Sequence, residues 1–302
     1  MEWGQVQKEI SKIFSVSLSK IVLFDTIYEE KNLVYCFRCN SMKFVIKINL
    51  FEYNNQMFIK EYKRCQCLSS FAFIPKVIFF GEMEGHLYFI MEYVQGKTLE
   101  SIGYKNNFGV VIAALNLVNA IDGSVLDSVD SRFASIHNGL DFSVWCLNYL
   151  KNNLDQIDCD SLMSAKKIIE NEVANLAGDL DINLDIFEKV RPVLLHTDMH
   201  ARNLLVENGN ISIIDWYHAE KGDNALEIAS ILHNYSIPPY LHHDLIKGYR
   251  HWGFFEEFNV RLKFYDRFLK VNNLVGRMNF IQKTNCVDKF DVLQINQSLL
   301  IL

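Results

Sequence analysis

The sequence predicts an α+β chain in two parts, a strand-rich N-terminal part of about 95 residues and a longer, mostly helical part. Three observations carry this. Residues 20–50 and again 75–94 hold short runs rich in β-branched and aromatic residues, bounded by polar turns. A single helical pattern separates these blocks. After Gln95-Gly96-Lys97 the period becomes three to four and stays so for most of the remaining chain.

Taken in order, KIVLFDTIY, LVYCFRC and KFVIKINL are rich in β-branched and aromatic residues and are separated by the polar turns EEKN and NSM. From Asn54 to Ser69 the residues Phe58, Tyr62, Cys65 and Leu68 recur at helical spacing among charges. PKVIFFG and HLYFIMEYV, split by EMEG, complete five strands. We therefore assign residues 1–94 to a β-rich part and 95–302 to a helical part, in which FGVVIAALNLVNAI, SVWCLNYLKNNL and SLMSAKKIIENEVANLA each read as a helix. Leu194–Leu195 and Asn203–Val206 flank a loop, and Ile211–Asp215 reads as a short buried strand. Beyond Asp223 the pattern is helical to the end, with Pro238-Pro239 as a break. A crevice between two such parts is a common seat for a small ligand.

Bulk properties exclude several classes. Half of the 302 residues are hydrophobic and 22% are charged, which describes a globular chain. The net charge of −6 argues against binding nucleic acid or an anionic membrane, both of which want a basic face. No apolar run is long enough for a transmembrane helix, and MEWGQVQKEISKIF has no signal-peptide pattern. With seven cysteines, an odd number, this suits a reducing cytoplasm. Cys36 and Cys39 form a C-x-x-C, but strand alternation turns them to opposite faces. Cys65 and Cys67 sit in the helical pattern, so small buried hydrophobes are the better reading than a zinc site.

The segment LLHTDMHARNLLVENGNISIIDW carries the chemistry. It sets His196, Asp198 and Asn203 in an H-x-D-x-x-x-x-N loop and places Asp215 at the end of an apolar run. Phosphoryl transfer asks little covalent chemistry of a protein. It needs a carboxylate beside the attacking hydroxyl and oxygen ligands for Mg²⁺ on the phosphate side. Asp198 suits the first role, since it could accept the hydroxyl proton. Asn203 and Asp215 offer the amide carbonyl and carboxylate that Mg²⁺ prefers. Lys47 follows the apolar triplet Phe44-Val45-Ile46 on a strand, where a lysine is costly without a partner.

These motifs resemble the aminoglycoside phosphotransferase and choline kinase family, the small-molecule branch of the protein-kinase-like fold. The loop His196-Thr197-Asp198-Met199-His200-Ala201-Arg202-Asn203 is similar to H-G-D-x-H-x-x-N, Ile214-Asp215-Trp216 to its I-D-W/F, and residues 222–229 to its G-D-P-x-x-D-L-A. Phe44–Lys47 and residues 90–96 resemble the phosphate-lysine strand and the hinge. The resemblance spans roughly residues 20–236. It implies a two-lobe fold, with a five-stranded antiparallel sheet and a helix in a nucleotide-binding lobe, and the catalytic loop in a helical lobe. It implies ATP or GTP and Mg²⁺ as cofactors, with Lys47 on the α- and β-phosphates and Glu61 as its carboxylate partner. Backbone groups of Glu92 and Val94 would contact the nucleobase, and His200 would face the γ-phosphate or the acceptor. His196 and Asp223 would brace the loop. One departure is clear: residues 25–32, where related enzymes often carry a glycine-rich turn, hold no glycine and include Glu29 and Glu30.

Three functions follow as expectations. The first is a small-molecule O-kinase acting on an aminoglycoside-like antibiotic or on a metabolite alcohol of the choline, homoserine or sugar type. A protein kinase is disfavoured because no A-P-E segment follows Asp215, and the chain runs directly into Gly222-Asp223-Asn224. A catalytically silent nucleotide-binding module is motivated by the glycine-free turn. The acids in 155–160 and 179–185 would favour a cationic acceptor.

Overall fold

The computed structural model describes residues 2–28, 31–234 and 239–284. Glu29 and Glu30 of the glycine-free turn, the break at Pro238 and the helical expectation for 285–302 lie outside the described residues. In chain order the elements are α1 (Trp3–Phe14), β1 (Ile21–Tyr28), β2 (Asn32–Cys39), β3 (Met42–Asn49), α2 (Asn55–Leu68), β4 (Val77–Met83), β5 (His86–Glu92), β6 (Lys97–Thr98), α3 (Leu99–Ile102) and α4 (Phe108–Asn119). They continue with α5 (Ser131–Ala134), α6 (Gly139–Asp155), α7 (Met163–Ile182), α8 (Leu184–Glu188), β7 (Val193–Leu195), β8 (Leu204–Glu207), β9 (Asn210–Ile213), β10 (Glu220–Gly222), α9 (Asn224–Asn234), α10 (Pro239–Gly248) and α11 (Phe255–Thr284). The chain groups into two compact units. One takes the chain up to Ala114 with Ala201–Ala219, and the other takes Leu115–His200 with the chain from Glu220.

The first unit is built on a five-stranded antiparallel sheet of order β1-β2-β3-β5-β4, its strands falling on the five β-branched and aromatic runs. Alternation decides what each face carries. Leu33, Tyr35, Phe37 and Cys39 of β2 join Phe44, Ile46 and Ile48 of β3 in a core closed by Val6 and Ile10 of α1. The intervening residues, Val45, Lys47 and Asn49 among them, face the other way. There α2 packs, with Phe58 5.1 Å from Phe89 and Tyr62 stacked on Phe80 at 4.4 Å. Lys47 pairs with Val34 and Phe89 in the centre of the sheet. A one-residue slip of β3 would turn it to the α1 side. Cys36 and Cys39 fall on opposite faces by the same alternation.

Helix α1 was not foreseen. Val6 and Ile10 are buried and Trp3, Ile13 and Phe14 pack beside them, so its sequence carries an apolar stripe at helical spacing. Its start is fixed by a capping box between Glu2 and Gln5, and its end by Ser15 in the left-handed region.

The β8–β9 pair, also in the first unit, is a hairpin closed by Asn208 and Gly209, with φ of 50° and 82°. Positive φ at both positions is what a tight turn matching strand twist requires. β9 is half-buried rather than buried and ends at Ile213, two residues before Asp215.

The second unit is helical. Val173, Leu176 and Leu180 of α7 and Phe264, Tyr265 and Phe268 of α11 are buried at helical spacing. The ring of Phe187 meets that of Phe264 edge-on at 5.2 Å. Asn138 caps α6 by accepting a hydrogen bond from the Asp141 N–H at 2.9 Å. β7 and β10 pair antiparallel, with Gly222 opposite Val193. Gly222 is there for space, because a Cβ would lie 2.6 Å from the ring of Phe142. Among the described residues, no helix is long and apolar enough to cross a membrane.

Candidate active site

The first unit brings together one set of predicted residues. Lys47 Nζ lies 2.8 Å from Glu61 Oε1 and 3.7 Å from Asp215 Oδ1. The side chains of Lys47 and Glu61 are 7% and 3% exposed, and that of Asp215 is 37% exposed. Burial on this scale is tolerable for a cation only with a close carboxylate, which α2 supplies one helical face from Phe58 and Cys65. The β8–β9 register explains how Asn203 and Asp215 come to the same end. Leu204 opposes Ile213, so the next step places Asn203 beside Ile214, whose N–H donates to the Asn203 carbonyl at 3.0 Å. Asp215 follows directly, in the left-handed region at φ 62° and ψ 65°. That conformation is sparsely populated, though aspartate adopts it more readily than most side chains do. The segment after Asp215 is pinned on both sides. Arg64 of α2 donates to the Tyr217 carbonyl, and the Trp216 indole N–H donates to the Ile213 carbonyl at 2.9 Å. The buried Arg64 was not foreseen, since it reads as one more charge on a polar helix.

At the hinge, the Glu92 N–H donates to the Lys76 carbonyl at 2.9 Å. The contact left to Glu92 for a nucleobase is therefore through its carbonyl, which narrows the expectation from sequence. Val94 follows β5 and is half-buried.

The second unit holds the other set. His196 is fully buried, and its backbone N–H donates to Glu227 Oε2 at 2.6 Å. The Thr197 N–H donates to both Glu227 oxygens at 3.1 and 3.2 Å, with Thr197 itself at φ 59°. Ser230 Oγ donates to the Thr197 carbonyl at 3.2 Å. His200 Nε2 lies 2.7 Å from Asp198 Oδ1, and the His200 N–H donates to the Asp198 carbonyl at 2.8 Å. The imidazole is thus directed at the candidate base.

Asp223 was expected to brace this loop. It is fully buried, accepts from the Ala225 N–H at 2.9 Å as the cap of α9, and pairs with Arg261 of α11. Burial still pushes its carboxyl above the usual range, against the pull of Arg261. The direct hold on the loop comes from Glu227, one turn further along α9. Its signal in the sequence was an acid inside the apolar run Ala225–Ile231. Burial raises the Glu227 carboxyl from its usual 4.5 to about 7, against the two loop N–H groups, which favour the ionised form.

This gives a test in pH. A raised folded-state value means that the fold binds this proton more tightly than the unfolded chain does. Its contribution is complete below pH 4.5 and is lost as pH rises to about 7. The slope is at most about 1.4 kcal/mol per pH unit. Urea denaturation of the wild type and of Glu227→Gln, at several pH values from 5 to 8, should show the variant gaining on the wild type as pH rises. Parallel curves would show that Glu227 does not titrate there.

With this geometry in view, comparison with known proteins gives the following. The sequence profile of the phosphotransferase enzyme family (APH) matches residues 31–258, well over half of the chain. A curated protein, the LicA homolog of Mycoplasma capricolum, is 27% identical over 173 residues, and the chain spans 58% of its length. Among solved structures, aminoglycoside phosphotransferase APH(4)-Ia superposes with a TM-score of 0.65 at 18% identity, over 99% of this chain and 98% of that one. A ternary complex of a thermostable APH(4)-Ia mutant with ADP and hygromycin B gives a TM-score of 0.64 at 17% identity, over 98% of each chain. Plasmodium vivax ethanolamine kinase gives 0.62 at 15% identity, over 92% of this chain and 81% of that one. At such identities these structures speak to the fold, which is protein-kinase-like. The matching profile and the motifs from Lys47 to Glu227 agree: the chain belongs to the phosphotransferase enzyme family (APH).

Proposed function

We propose that this chain transfers the γ-phosphoryl group of ATP or GTP to a hydroxyl of a small molecule. The observation that carries the reading is Lys47 held by buried Glu61 with Asp215 beside it. Residues 1–94 form the nucleotide-binding lobe in this reading, and 95–302 hold the catalytic loop and the acceptor site. Lys47 neutralises charge on the α- and β-phosphates, and Glu61 fixes its ammonium. The carbonyl of Glu92 and the backbone of Val94 hold the base.

Asp198 accepts the proton of the acceptor hydroxyl as its oxygen bonds to the γ-phosphorus. The bond from that phosphorus to the β,γ-bridging oxygen breaks, and the nucleoside diphosphate leaves with the electron pair. His200 orients the Asp198 carboxylate, and Glu227 holds the loop backbone that carries it. His196 fills the core beneath. Asn203 and Asp215 suit Mg²⁺, being hard oxygen donors at one end of a hairpin. Lys47 stands 3.7 Å from Asp215, beyond hydrogen-bond length, so that carboxylate keeps oxygen lone pairs for an ion. When bound, Mg²⁺ neutralises charge building on the phosphate oxygens.

Asp215→Ala should weaken Mg²⁺-nucleotide binding at least tenfold and lower turnover. Isothermal titration with the ATP analogue AMP-PNP, with and without Mg²⁺, checks this. Equal affinity in the wild type and variant would remove Asp215 from the metal site.

For the acceptor we favour a hydroxylated amine of the aminoglycoside type. The net charge of −6 and the acids of 155–160 and 179–185 would steer a cation. Asp179 contributes less than its sequence suggests, because Arg267 pairs with it. The second reading is a kinase of a metabolite amino alcohol, motivated by the likeness to an ethanolamine kinase. Turnover of an aminoglycoside panel alongside choline and ethanolamine, at low and high ionic strength, separates them. A cationic acceptor should lose apparent affinity as salt rises. A neutral sugar or alcohol as the sole acceptor would end the cationic reading.

A further inference from the structure

The geometry points to a second ligand site, a cavity in the second unit that would take a small phosphate- or carboxylate-bearing molecule with a short apolar body. The cavity measures about 580 Å³, within the range of small-molecule sites. Its charged lining is Lys189, Arg191 and Arg261 against one acid, Glu257. His251 and Trp252 share the wall, and Val190 and Val193 supply apolar surface. Three cations thus line the cavity with one carboxylate, while Asp122 and Asp223, outside the lining, pair with Arg191 and Arg261.

Arg261 makes this more than a rim of surface charges. Its side chain is only 7% exposed. One Nη nitrogen engages Asp223 and, at 3.3 Å, Asn224 Oδ1, while Nε has no hydrogen-bond partner among the described residues. An unanswered donor on a buried guanidinium is costly, and because Nε is enclosed a charged oxygen in the cavity meets it only with a small shift of the Arg261 side chain. The rim cations can adjust. Lys189 reaches Glu257 only at 3.5 Å, and the partner of Arg191 is Asp122, which does not line the cavity.

The floor of the cavity connects it to the catalytic loop. Asn224 Nδ2 donates to the Tyr249 hydroxyl at 2.8 Å, and that hydroxyl donates to Asn119 Oδ1 at 2.7 Å. Asn119 Nδ2 in turn donates to the carbonyl of Leu194, in the strand that runs into His196. Val193, on the cavity wall, precedes His196 by three residues, roughly 10 Å of strand. A ligand here would bear on β7 and on the start of α9 while standing apart from Asp198.

The test uses the full chain with phenyl phosphate, phenylacetate and neutral benzyl alcohol as probes, followed by tryptophan fluorescence. Trp252→Phe assigns the signal to the cavity. Both anions should bind saturably at millimolar or lower concentration, benzyl alcohol at least tenfold more weakly. Lys189→Glu and Arg191→Glu, exposed and outside the catalytic machinery, should each fold, keep basal turnover and weaken anion binding at least tenfold. Phenyl phosphate alone binding would assign the site to phosphates, and phenylacetate alone would assign it to carboxylates. The proposal fails if charge reversal leaves binding unchanged, if the alcohol binds equally well, or if saturating AMP-PNP abolishes binding, which would place the probe at the nucleotide. Binding is read without turnover, so a failed phosphotransferase reading would leave this result standing.

Discussion

Asp198→Ala should lower kcat by roughly 10²- to 10⁴-fold, the span expected when a positioned general base is removed. Nucleotide affinity should change less than about threefold, since in this account the carboxylate serves the acceptor hydroxyl and not the triphosphate. The fold should also survive. Asp198 is part-exposed, and Glu227 holds the backbone of His196 and Thr197 just before it. Single-turnover kinetics with saturating nucleotide, together with AMP-PNP titration, separate the two effects. A folded variant with wild-type turnover would remove Asp198 as the base. Loss of nucleotide binding in parallel with turnover would move the residue to the metal side.

Lys47→Ala should have the largest effect on the first unit. It leaves the Glu61 carboxylate, 3% exposed, without its cation and close to a second carboxylate at Asp215. Breaking a buried pair from one side costs about 3–5 kcal/mol, because the remaining charge is stranded. Removing both charges is far milder, so Lys47→Met combined with Glu61→Leu should recover most of that loss. Nucleotide binding should not recover with it, since the phosphate cation is gone in both proteins. Urea denaturation and AMP-PNP titration of the single and double variants give the comparison. A single variant that loses less than about 1 kcal/mol would show that the pair is not buried as described. A double variant that binds nucleotide normally would end the phosphate role of Lys47.

The parts legible in the sequence are those where one period or one motif dominates. The five strands were readable because their β-branched and aromatic runs are bounded by polar turns, α2 because its helical period is plain, and Lys47 could be placed because it ends an apolar triplet. Asp198, Asn203 and Asp215 stood out as candidates by their spacing, and Asn203 and Asp215 do meet at one hairpin end. What escaped notice depends on tertiary context. Helix α1 is the exception, because Trp3, Val6, Ile10, Ile13 and Phe14 recur at helical spacing and form a readable stripe. Asn208-Gly209 was a usable hairpin signal, and it would have placed Asn203 and Asp215 at one hairpin end. Asp215 reads as the end of a strand, yet its left-handed backbone lies past the ladder, a choice set by the pinning of Trp216 and Tyr217. Arg64 looks like an ordinary helix charge, and Glu227 stands out only as an acid in an apolar run within residues 222–229. Burial reveals that one holds the segment after Asp215 and the other the backbone of His196 and Thr197.

The most direct test of the central claim is acceptor-dependent formation of a phosphate monoester. Purified full-length chain is incubated with ATP or GTP and Mg²⁺ against aminoglycosides, choline, ethanolamine and neutral alcohols, and products are followed by phosphorus NMR. The account predicts a new monoester resonance that requires one acceptor, appears in step with nucleoside diphosphate, and is absent with Asp198→Ala. Nucleoside diphosphate release that no acceptor stimulates, with free phosphate as the sole product, would contradict it.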